Sequence, residues 1–157
     1  MGTLLDGIAG LSRIGLDSSP FIYYFERNPD WYSIVSDLFV QSANTPDNVR
    51  LYTSGITLAE VLVMPIRSQQ QALYNQYISF FLNSTSVEVI AVSNSVLLLA
   101  AALRARHGLR TADAIQISSG LETGCEVFIT NDKRLQKVTE IEVIVLADCD
   151  PSTQTNE

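Results

Sequence analysis

Histidine and cysteine are scarce in this sequence. His107 is the only histidine, and Cys125 and Cys149 are the only cysteines among 157 residues. A zinc hydrolase or a histidine-based proton relay would therefore have few ligands or bases, and the two cysteines lack the C-x-x-C spacing of a zinc or redox motif. Two separated cysteines without such a pattern favour free thiols in a reducing cytoplasm.

Long apolar segments are also missing. The longest apolar run covers residues 96–103 and ends at Arg104, whereas a membrane span needs roughly 20 residues. No basic segment followed by an apolar stretch stands at the N-terminus, so no secretory signal is predicted. We therefore expect a cytoplasmic protein that is not inserted in a membrane.

Three glycine-containing signatures are absent as well. Residues 16–20, which end the first predicted strand and follow it, read LDSSP where a dinucleotide-binding fold has GxGxxG. The sequence contains neither the GxxxxGK[ST] of P-loop nucleotidases nor the G-x-S-x-G elbow of serine hydrolases. These absences count against all three classes of enzyme.

Basic residues are few, and the formal net charge is −7. Local patches rather than net charge decide where phosphate binds, and acids that surround a metal ion add negative charge without repelling substrate. The net charge therefore neither supports nor excludes binding to a nucleic acid. Six of the ten basic residues lie between positions 104 and 137. These candidate RNA-binding residues are Arg104, Arg106, Arg110, Lys133, Arg134 and Lys137.

What is present is a regular alternation of strand and helix patterns, in a chain long enough for one domain. Strands are predicted at 13–17, 50–54, 87–92, 126–129 and 141–146. Helices are predicted from Ser19-Pro20, at 30–43, from Thr57 to an end or a kink at Pro65, at 69–82, at 95–107 ending on Gly108, and from Thr111 to Gly124. This alternation predicts an α/β fold, with a mostly parallel sheet and helices on both faces. The domain is expected to cover 1–147, followed by a polar tail at 148–157; the tail and the first dozen residues are expected to be mobile.

Four acidic residues fall at junctions between predicted strands and helices. Asp17 ends the first strand, and Glu60 lies one turn into the helix after the second strand. Asp113 is two residues past Thr111, and Asp132 follows the fourth strand. Ligands of open α/β sheets bind beyond the carboxyl ends of the strands, so we expect the four acids to share one site.

Each acid also has a purely structural explanation. The pattern from Thr57 to Glu60 fits a capping box, a helix dipole favours Asp113, and Asp132 suits the N-cap of a short helix. Asp17 is the hardest to explain in this way, because Ser19 is better placed to cap the next helix. One acid at every junction favours a functional site over four separate caps.

A cluster of carboxylates supports a narrow range of chemistry. Crowded carboxylates stay ionised only with a cation between them, and all-oxygen ligands suit Mg²⁺ or Mn²⁺. Such metals bind phosphate oxygens and lower the pKa of a bound water, which points to phosphoryl transfer. The candidate residues for orienting ligands or waters are Ser18, Thr111, Thr130 and Asn131, for each of which a cap or a turn is the alternative.

The four acids lie in four short segments. These read LDSSPFIYYFE at 16–26, TLAEVL at 57–62, RTADAI at 110–115 and ITNDKRL at 129–135. In this order the segments resemble the motifs of PIN-domain proteins, especially the VapC-like toxins, and the likeness extends over about residues 13–146. The serine and proline at 19–20 replace a more usual apolar pair, but no acid is lost.

The resemblance implies a PIN fold, whose central parallel sheet has the strand order 3-2-1-4-5. It also implies an Mg²⁺- or Mn²⁺-dependent endonuclease acting on RNA, in which Thr130 and Asn131 lie near the metal. The implied metal-binding and catalytic acids are Asp17, Glu60, Asp113 and Asp132. Many relatives are toxins that are restrained by a small antitoxin protein and usually dimerise.

The large apolar residues of two helices bear on the partners. Residues 21–25 are mostly aromatic, and Trp31, Tyr32, Leu38 and Phe39 follow. This is more apolar surface than one flank of a small sheet usually hides. We therefore expect a homodimer, with an antitoxin peptide in a groove of the same region.

Three other interpretations compete with a toxin. An RNA-processing PIN nuclease without an antitoxin would carry the same motifs. A non-catalytic PIN scaffold typically lacks an acid, whereas all four are present here. A response-regulator or phosphatase domain needs a phospho-accepting Asp with a partner Lys, or a DxDx[TV] start, and residues 16–20 provide neither.

Overall fold

Five parallel strands form a single sheet in the computed structural model, which describes residues 2–45 and 47–151. The strands are β1 (Arg13–Leu16), β2 (Arg50–Ser54), β3 (Val87–Ile90), β4 (Val127–Thr130) and β5 (Glu142–Val145). Their order is β3-β2-β1-β4-β5, and every neighbouring pair is parallel. This confirms the predicted fold class and strand order.

Helices connect the strands on both faces. They are α1 (Leu4–Gly7), α2 (Ser18–Phe25), α3 (Tyr32–Asn44), α4 (Ile56–Val61), α5 (Val63–Arg67), α6 (Gln71–Asn83), α7 (Asn94–His107) and α8 (Thr111–Glu122), with short 3₁₀ turns at Lys133–Lys137 and Leu146–Asp148. None of the helices in the described part of the chain is both long enough and apolar enough to cross a bilayer.

Alternation along the strands divides the core into two layers. Val127 and Ile129 of β4 pack with residues of α1, α2, α3 and α6, whereas Phe128 between them packs with residues of α7 and α8. Gly15 of β1 lets the Phe128 ring approach closely, because a Cβ at residue 15 would lie 3.2 Å from that ring. The helices therefore cover both faces, as predicted for a parallel sheet.

Pro65 lies inside α5 and interrupts the predicted helix instead of ending it, whereas Gly108 ends α7 where the sequence predicts. The break between α4 and α5 follows Val61, which is four residues before Pro65, and a proline ring clashes with the carbonyl at that distance. Gly108 takes the left-handed conformation, with φ of 64°, after α7, and its N–H donates to the Arg104 carbonyl at 2.8 Å.

The described residues near each terminus make contacts that the prediction of mobile segments did not include. Leu4 and Ile8 are buried, and a capping box between Thr3 and Asp6 begins α1. The Asp150 N–H donates to the Gly2 carbonyl at 3.1 Å, so residues 2 and 150 are held together. The prediction that the first dozen residues are mobile was therefore wrong. Residues 152–157 of the predicted tail lie outside the described residues.

Three helix caps that the sequence suggested do not form. Asp17 occupies the N-cap of α2, while the buried Ser19 hydroxyl has no partner among the described residues. Arg110 precedes α8 and Thr111 makes no capping bond. Thr57 lies inside α4, whose N-cap is Gly55, so the capping box with Glu60 does not form. Ser19, Thr111 and Thr57 therefore do not cap these helices.

The apolar residues that suggested a dimer are partly internal. Phe21, Leu38 and Phe39 are buried, and the Phe21 ring centroid lies 5.4 Å from that of Phe39 and 4.9 Å from that of Phe81. The reasoning from exposed apolar surface was therefore wrong for these residues. They form the core between α2, α3 and α6.

Candidate active site

The four acids lie on elements that meet at the carboxyl edge of the sheet. Asp17 directly follows β1. Strand β4 is paired with β1, and one residue, Asn131, separates the end of β4 from Asp132. Glu60 stands in α4, which follows β2 on the other side of β1, and Asp113 stands in the first turn of α8. Adjacent parallel strands thus bring three junctions together, as the sequence interpretation expected.

Asp17 is fixed by two hydrogen bonds. Its Oδ1 accepts from the Ser18 N–H at 2.7 Å, and its Oδ2 accepts from the Thr130 hydroxyl at 2.6 Å. Burial raises the pKa of Asp17, and the charge of Glu60 raises it further, although the hydrogen bonds oppose that rise. The site therefore holds a carboxylate whose charge is unfavourable without a nearby cation.

Glu60 is held by neutral donors on both oxygens. The Ser18 hydroxyl lies 3.3 Å from its Oε2 and 3.4 Å from Oδ1 of Asp17, so that one hydroxyl stands between the two acids. Gln116 donates to Oε1 of Glu60 at 3.1 Å. The carboxylate is thus oriented from two sides, by α2 and by α8.

Asp113 completes a group of acids that affect one another electrostatically. Burial raises its pKa, and the charges of Asp17 and Asp132 raise it further, while Arg134 and Arg110 lower it. Asp113 therefore lies close enough to both other aspartates to sense their charge. The first turn of α8 also exposes unpaired N–H groups whose dipole favours an acid there.

Asp132 has a different environment from the other three. It is the N-cap of the 3₁₀ turn, accepting from the Arg134 N–H at 2.9 Å, and the Arg134 Nε lies 2.9 and 3.0 Å from its two oxygens. The hydrogen bond from Arg134 lowers the pKa of Asp132, although burial opposes it. The cap that the sequence offered as a structural explanation is therefore present, and an arginine pairs with the carboxylate.

The acids are close, but they are not arranged as a closed metal cage. Within residues 2–45 and 47–151, no three His, Cys, Asp or Glu side chains form a group that could hold a metal ion as they stand. The donor set is nevertheless all oxygen, and Asp17 and Asp113 carry raised pKa values that an added cation would relieve. The chemistry of the residues thus fits a hard divalent cation, with Asp132 engaged elsewhere.

The residues predicted to orient the acids differ in whether they contact an acid. Ser18 and Thr130 contact the acids, and the Thr130 hydroxyl also accepts from the Asp132 N–H at 3.0 Å. Asn131 instead donates to the Tyr23 hydroxyl at 3.0 Å and accepts from the Ala147 N–H at 2.9 Å. Asn131 therefore ties the loop after β4 to α2 and to the 3₁₀ turn that follows β5.

Sequence reasoning missed Gln116, Thr57 and Thr53 as parts of this site. Their side chains form a buried chain of hydrogen bonds that ends on Glu60. The available signal was Gln116 itself, a polar residue between Ile115 and Ile117 that lies three positions after Asp113 and so on the same face of the helix. Thr57 was hidden because its spacing from Glu60 also fits a capping box.

The six predicted RNA-binding residues separate into two groups. Arg110, Arg134 and Lys137 line a small cleft of about 110 Å³ together with Asp113. Arg104, Arg106 and Lys133 have other partners: Arg104 donates to the Leu109 carbonyl, Arg106 pairs with Glu140, and Lys133 pairs with Asp148. The first group lies next to the acids.

Comparisons with known proteins place this α/β fold in a family. The sequence profile of the PIN domain matches residues 14–141, which is most of the chain, and the chain therefore belongs to the PIN-domain family. A comparison with curated proteins found no match.

Three solved structures have similar folds. VapBC2 from Rickettsia felis, bound to a DNA fragment from its promoter, is 18% identical with a TM-score of 0.66, covering 84% of this chain and 97% of that chain. A toxin–antitoxin complex from Klebsiella pneumoniae is 19% identical with a TM-score of 0.61, covering 86% and 98%. DNA-bound VapBC from Salmonella typhimurium is 16% identical with a TM-score of 0.65, covering 87% and 99%. At these identities the likeness shows the fold.

Proposed function

We propose that this PIN domain is a divalent-metal-dependent endoribonuclease that acts as the toxin of a toxin–antitoxin pair. The observation that carries the proposal is the convergence of Asp17, Glu60 and Asp113 from three separate elements at the carboxyl edge of the sheet. Burial and mutual repulsion raise the pKa of two of them, Asp17 and Asp113. Acids gathered in this way are unfavourable unless a cation neutralises them.

The proposed metal ligands are Asp17, Glu60 and Asp113, with Mg²⁺ or Mn²⁺ as the cation. A bound cation of this kind would stabilise charge on phosphoryl oxygens and lower the pKa of a water molecule. Ser18 and Thr130 orient the ligands through the hydrogen bonds described above. Asp132 would join the ligands when Arg134 releases its carboxylate.

Basic residues beside Asp113 would hold the phosphates of the RNA. Arg110, Arg134 and Lys137 line the cleft next to this acid, so a phosphate placed there would also lie near the proposed cation. An RNA phosphate in the cleft would compete with Asp132 for Arg134 and so free a ligand for the metal. Arg104, Arg106 and Lys133 would contribute at longer range.

A groove between α2, α3 and α6 supports the proposal of an antitoxin partner. It has a volume of about 610 Å³, and aromatic residues that line it include Tyr24, Phe25, Tyr32 and Phe80. Such a groove suits the apolar side chains of a peptide. The similar structure from Klebsiella pneumoniae is a toxin–antitoxin complex by its description.

The homodimer and the cytoplasmic location are further parts of the proposal. Val63, Met64 and Ile66 of α5 are 41–61% exposed and give one apolar surface for a second copy. Cys125 and Cys149 form no disulfide, which agrees with a reducing compartment.

A cleavage assay tests the nuclease proposal. Purified protein is incubated with structured and single-stranded RNAs in Mn²⁺, Mg²⁺ or EDTA, beside the Asp17→Asn variant as a matched control. We expect cleavage with either metal, none in EDTA, and loss of most activity in the variant. Cleavage that persists in EDTA, or an Asp17→Asn variant as active as the wild type, would contradict the proposed mechanism.

One observation favours a non-catalytic scaffold as a second candidate. Asp132 is paired with Arg134, and the described residues form no ready metal cage. A scaffold predicts RNA or protein binding without cleavage at any concentration of Mn²⁺ or Mg²⁺. The same assay, read with a gel-shift measurement of RNA binding, separates the two.

A further inference from the structure

Gln116 is a buried amide beside the acidic group. Its residue is 2% exposed, and it lies three positions after Asp113, on the same face of α8. Its Nε2 donates to the Thr57 hydroxyl at 2.7 Å and to Oε1 of Glu60 at 3.1 Å. A buried amide is costly unless it is paired, so these bonds account for its presence inside the protein.

The direction of the hydrogen-bond chain fixes the orientation of this amide. The Thr53 hydroxyl donates its one hydrogen to the Leu16 carbonyl at 2.9 Å. Thr53 must therefore accept from the Thr57 hydroxyl, which lies 2.7 Å away. Since Thr57 has then used its own hydrogen, it must accept from Gln116. The amide consequently turns its NH₂ group toward Thr57, and its second hydrogen is directed to Glu60.

The chain connects the elements that carry three of the acids. Leu16 immediately precedes Asp17, Thr57 lies on α4 with Glu60, and Gln116 lies on α8 with Asp113. A shift of any one element would break a bond in this series. The relative positions of Asp17, Glu60 and Asp113 are thus coupled through the buried side chains of Thr53, Thr57 and Gln116.

One feature of Gln116 is unfavourable by itself. Its Oε1 is buried and has no hydrogen-bond partner among the described residues, which is rare for an amide oxygen. Reversing the amide would pair neither end better, because it would break the bond to Thr57 and turn an oxygen toward the Glu60 carboxylate. The observed orientation therefore gives the Glu60 carboxylate a hydrogen-bond donor at the expense of the amide oxygen.

We propose that Gln116, through Thr57 and Thr53, is the positioning residue that holds the Glu60 carboxylate in register with Asp17 and Asp113. The proposal rests on the metal-dependent site proposed above. Its consequence is a metal affinity that depends on a side chain that is not itself a proposed metal ligand, as is common for groups that orient ligands.

The test measures Mn²⁺ binding by titration calorimetry in the full chain, with cleavage of single-stranded RNA as a second readout. Gln116→Met keeps the approximate size of the side chain and removes both hydrogens. We expect about 10–100-fold weaker Mn²⁺ binding, and cleavage that returns toward the wild-type rate at high Mn²⁺. Asp17→Asn, which loses a proposed ligand, should not be rescued in this way.

A matched pair at Thr57 keeps the test valid if Gln116→Met does not fold. Thr57→Val breaks the chain, whereas Thr57→Ser keeps its hydroxyl, and near-ultraviolet circular dichroism reports the fold of each. We expect Thr57→Val to weaken Mn²⁺ binding and Thr57→Ser to bind Mn²⁺ about as well as the wild type.

Two outcomes would overturn the proposal in distinguishable ways. If the wild type binds Mn²⁺ and cleaves RNA while a folded Gln116→Met or Thr57→Val binds Mn²⁺ equally well, only the positioning role fails. If the wild type binds no Mn²⁺, the proposed function fails together with it.

Discussion

Replacing Asp17 by asparagine separates a metal ligand from a structural aspartate. In the wild type, Asp17 caps α2 and accepts hydrogen bonds from the Ser18 N–H and the Thr130 hydroxyl. Asparagine is as good an N-cap as aspartate, so the cap should survive in Asp17→Asn. The substitution also removes a charge that burial and Glu60 make unfavourable. We therefore expect the metal-free variant to be at least as stable as the wild type.

The effect of pH on this difference has a definite sign. Because the pKa of Asp17 is raised in the folded state, the folded protein binds a proton at this residue more tightly than the unfolded chain does. The wild type therefore loses stability as pH rises through that raised pKa. The advantage of Asp17→Asn in EDTA should be greatest at neutral pH, and it should shrink as pH falls toward the ordinary value of 3.8.

Mn²⁺ should reverse the order of the two proteins. At a free Mn²⁺ concentration 100 times the dissociation constant, binding stabilises the wild type by about 2.7 kcal/mol. For a domain of this size, each kcal/mol raises the melting temperature by roughly 2–4 °C, so the expected rise is about 5–11 °C. Asp17→Asn should show little of that rise, because the neutral amide cannot replace the charge of the ligand.

Thermal melts in EDTA and in excess Mn²⁺ measure these differences. Asp17→Ala is the control for a lost cap. In EDTA it should be about 0.5–2 kcal/mol less stable than Asp17→Asn, and like Asp17→Asn it should gain little stability from Mn²⁺. The reasoning is refuted if Mn²⁺ gives the wild type no added stability while Asp17→Asn melts several degrees lower in EDTA. Asp17 would then be a structural residue.

Three further predictions concern charged residues around the site. Arg134→Ala should free Asp132 and strengthen Mn²⁺ binding by about two- to fivefold while weakening RNA binding; an unchanged Mn²⁺ titration would remove Asp132 from the site. Arg110→Ala should weaken RNA binding and reduce the slope of log affinity against log salt by about 0.7, and an unaltered slope would exclude a phosphate contact there. For Glu140, burial would raise the pKa, but hydrogen bonds from His107 and other groups outweigh it and lower the pKa to about 2. Glu140 should therefore stabilise the protein above pH 4.5 and lose that effect as pH falls toward 2. In denaturant unfolding at pH 7, Glu140→Gln should lower the free energy of unfolding by about 1–2 kcal/mol, a figure reduced because the charged partners are exposed to solvent. An equal loss of stability near about pH 2.5 would contradict this role of Glu140.

The sequence alone was sufficient for the fold class and for the approximate location of the acids. The alternation of strands and helices can be read from local sequence patterns. Because parallel neighbouring strands are usually connected by a helix, this alternation predicts that the strands form one parallel sheet. Asp17 and Asp132 come so soon after their strands that the strand order by itself brings them to one edge. The left-handed glycine at Gly108 and the break before Pro65 follow from backbone sterics, which also act locally.

Only the tertiary structure decided which side chains meet within that edge. Thr130 contacts Asp17 from 113 positions away, and Gln116 contacts Thr57 from 59 positions away. No periodicity encodes such contacts, because they depend on how α8 and the loops pack on the sheet. Packing likewise made Asp17 rather than Ser19 the cap of α2. Local sequence offers several donors and acceptors of similar strength at each junction, and the long-range arrangement of helices and strands selects among them.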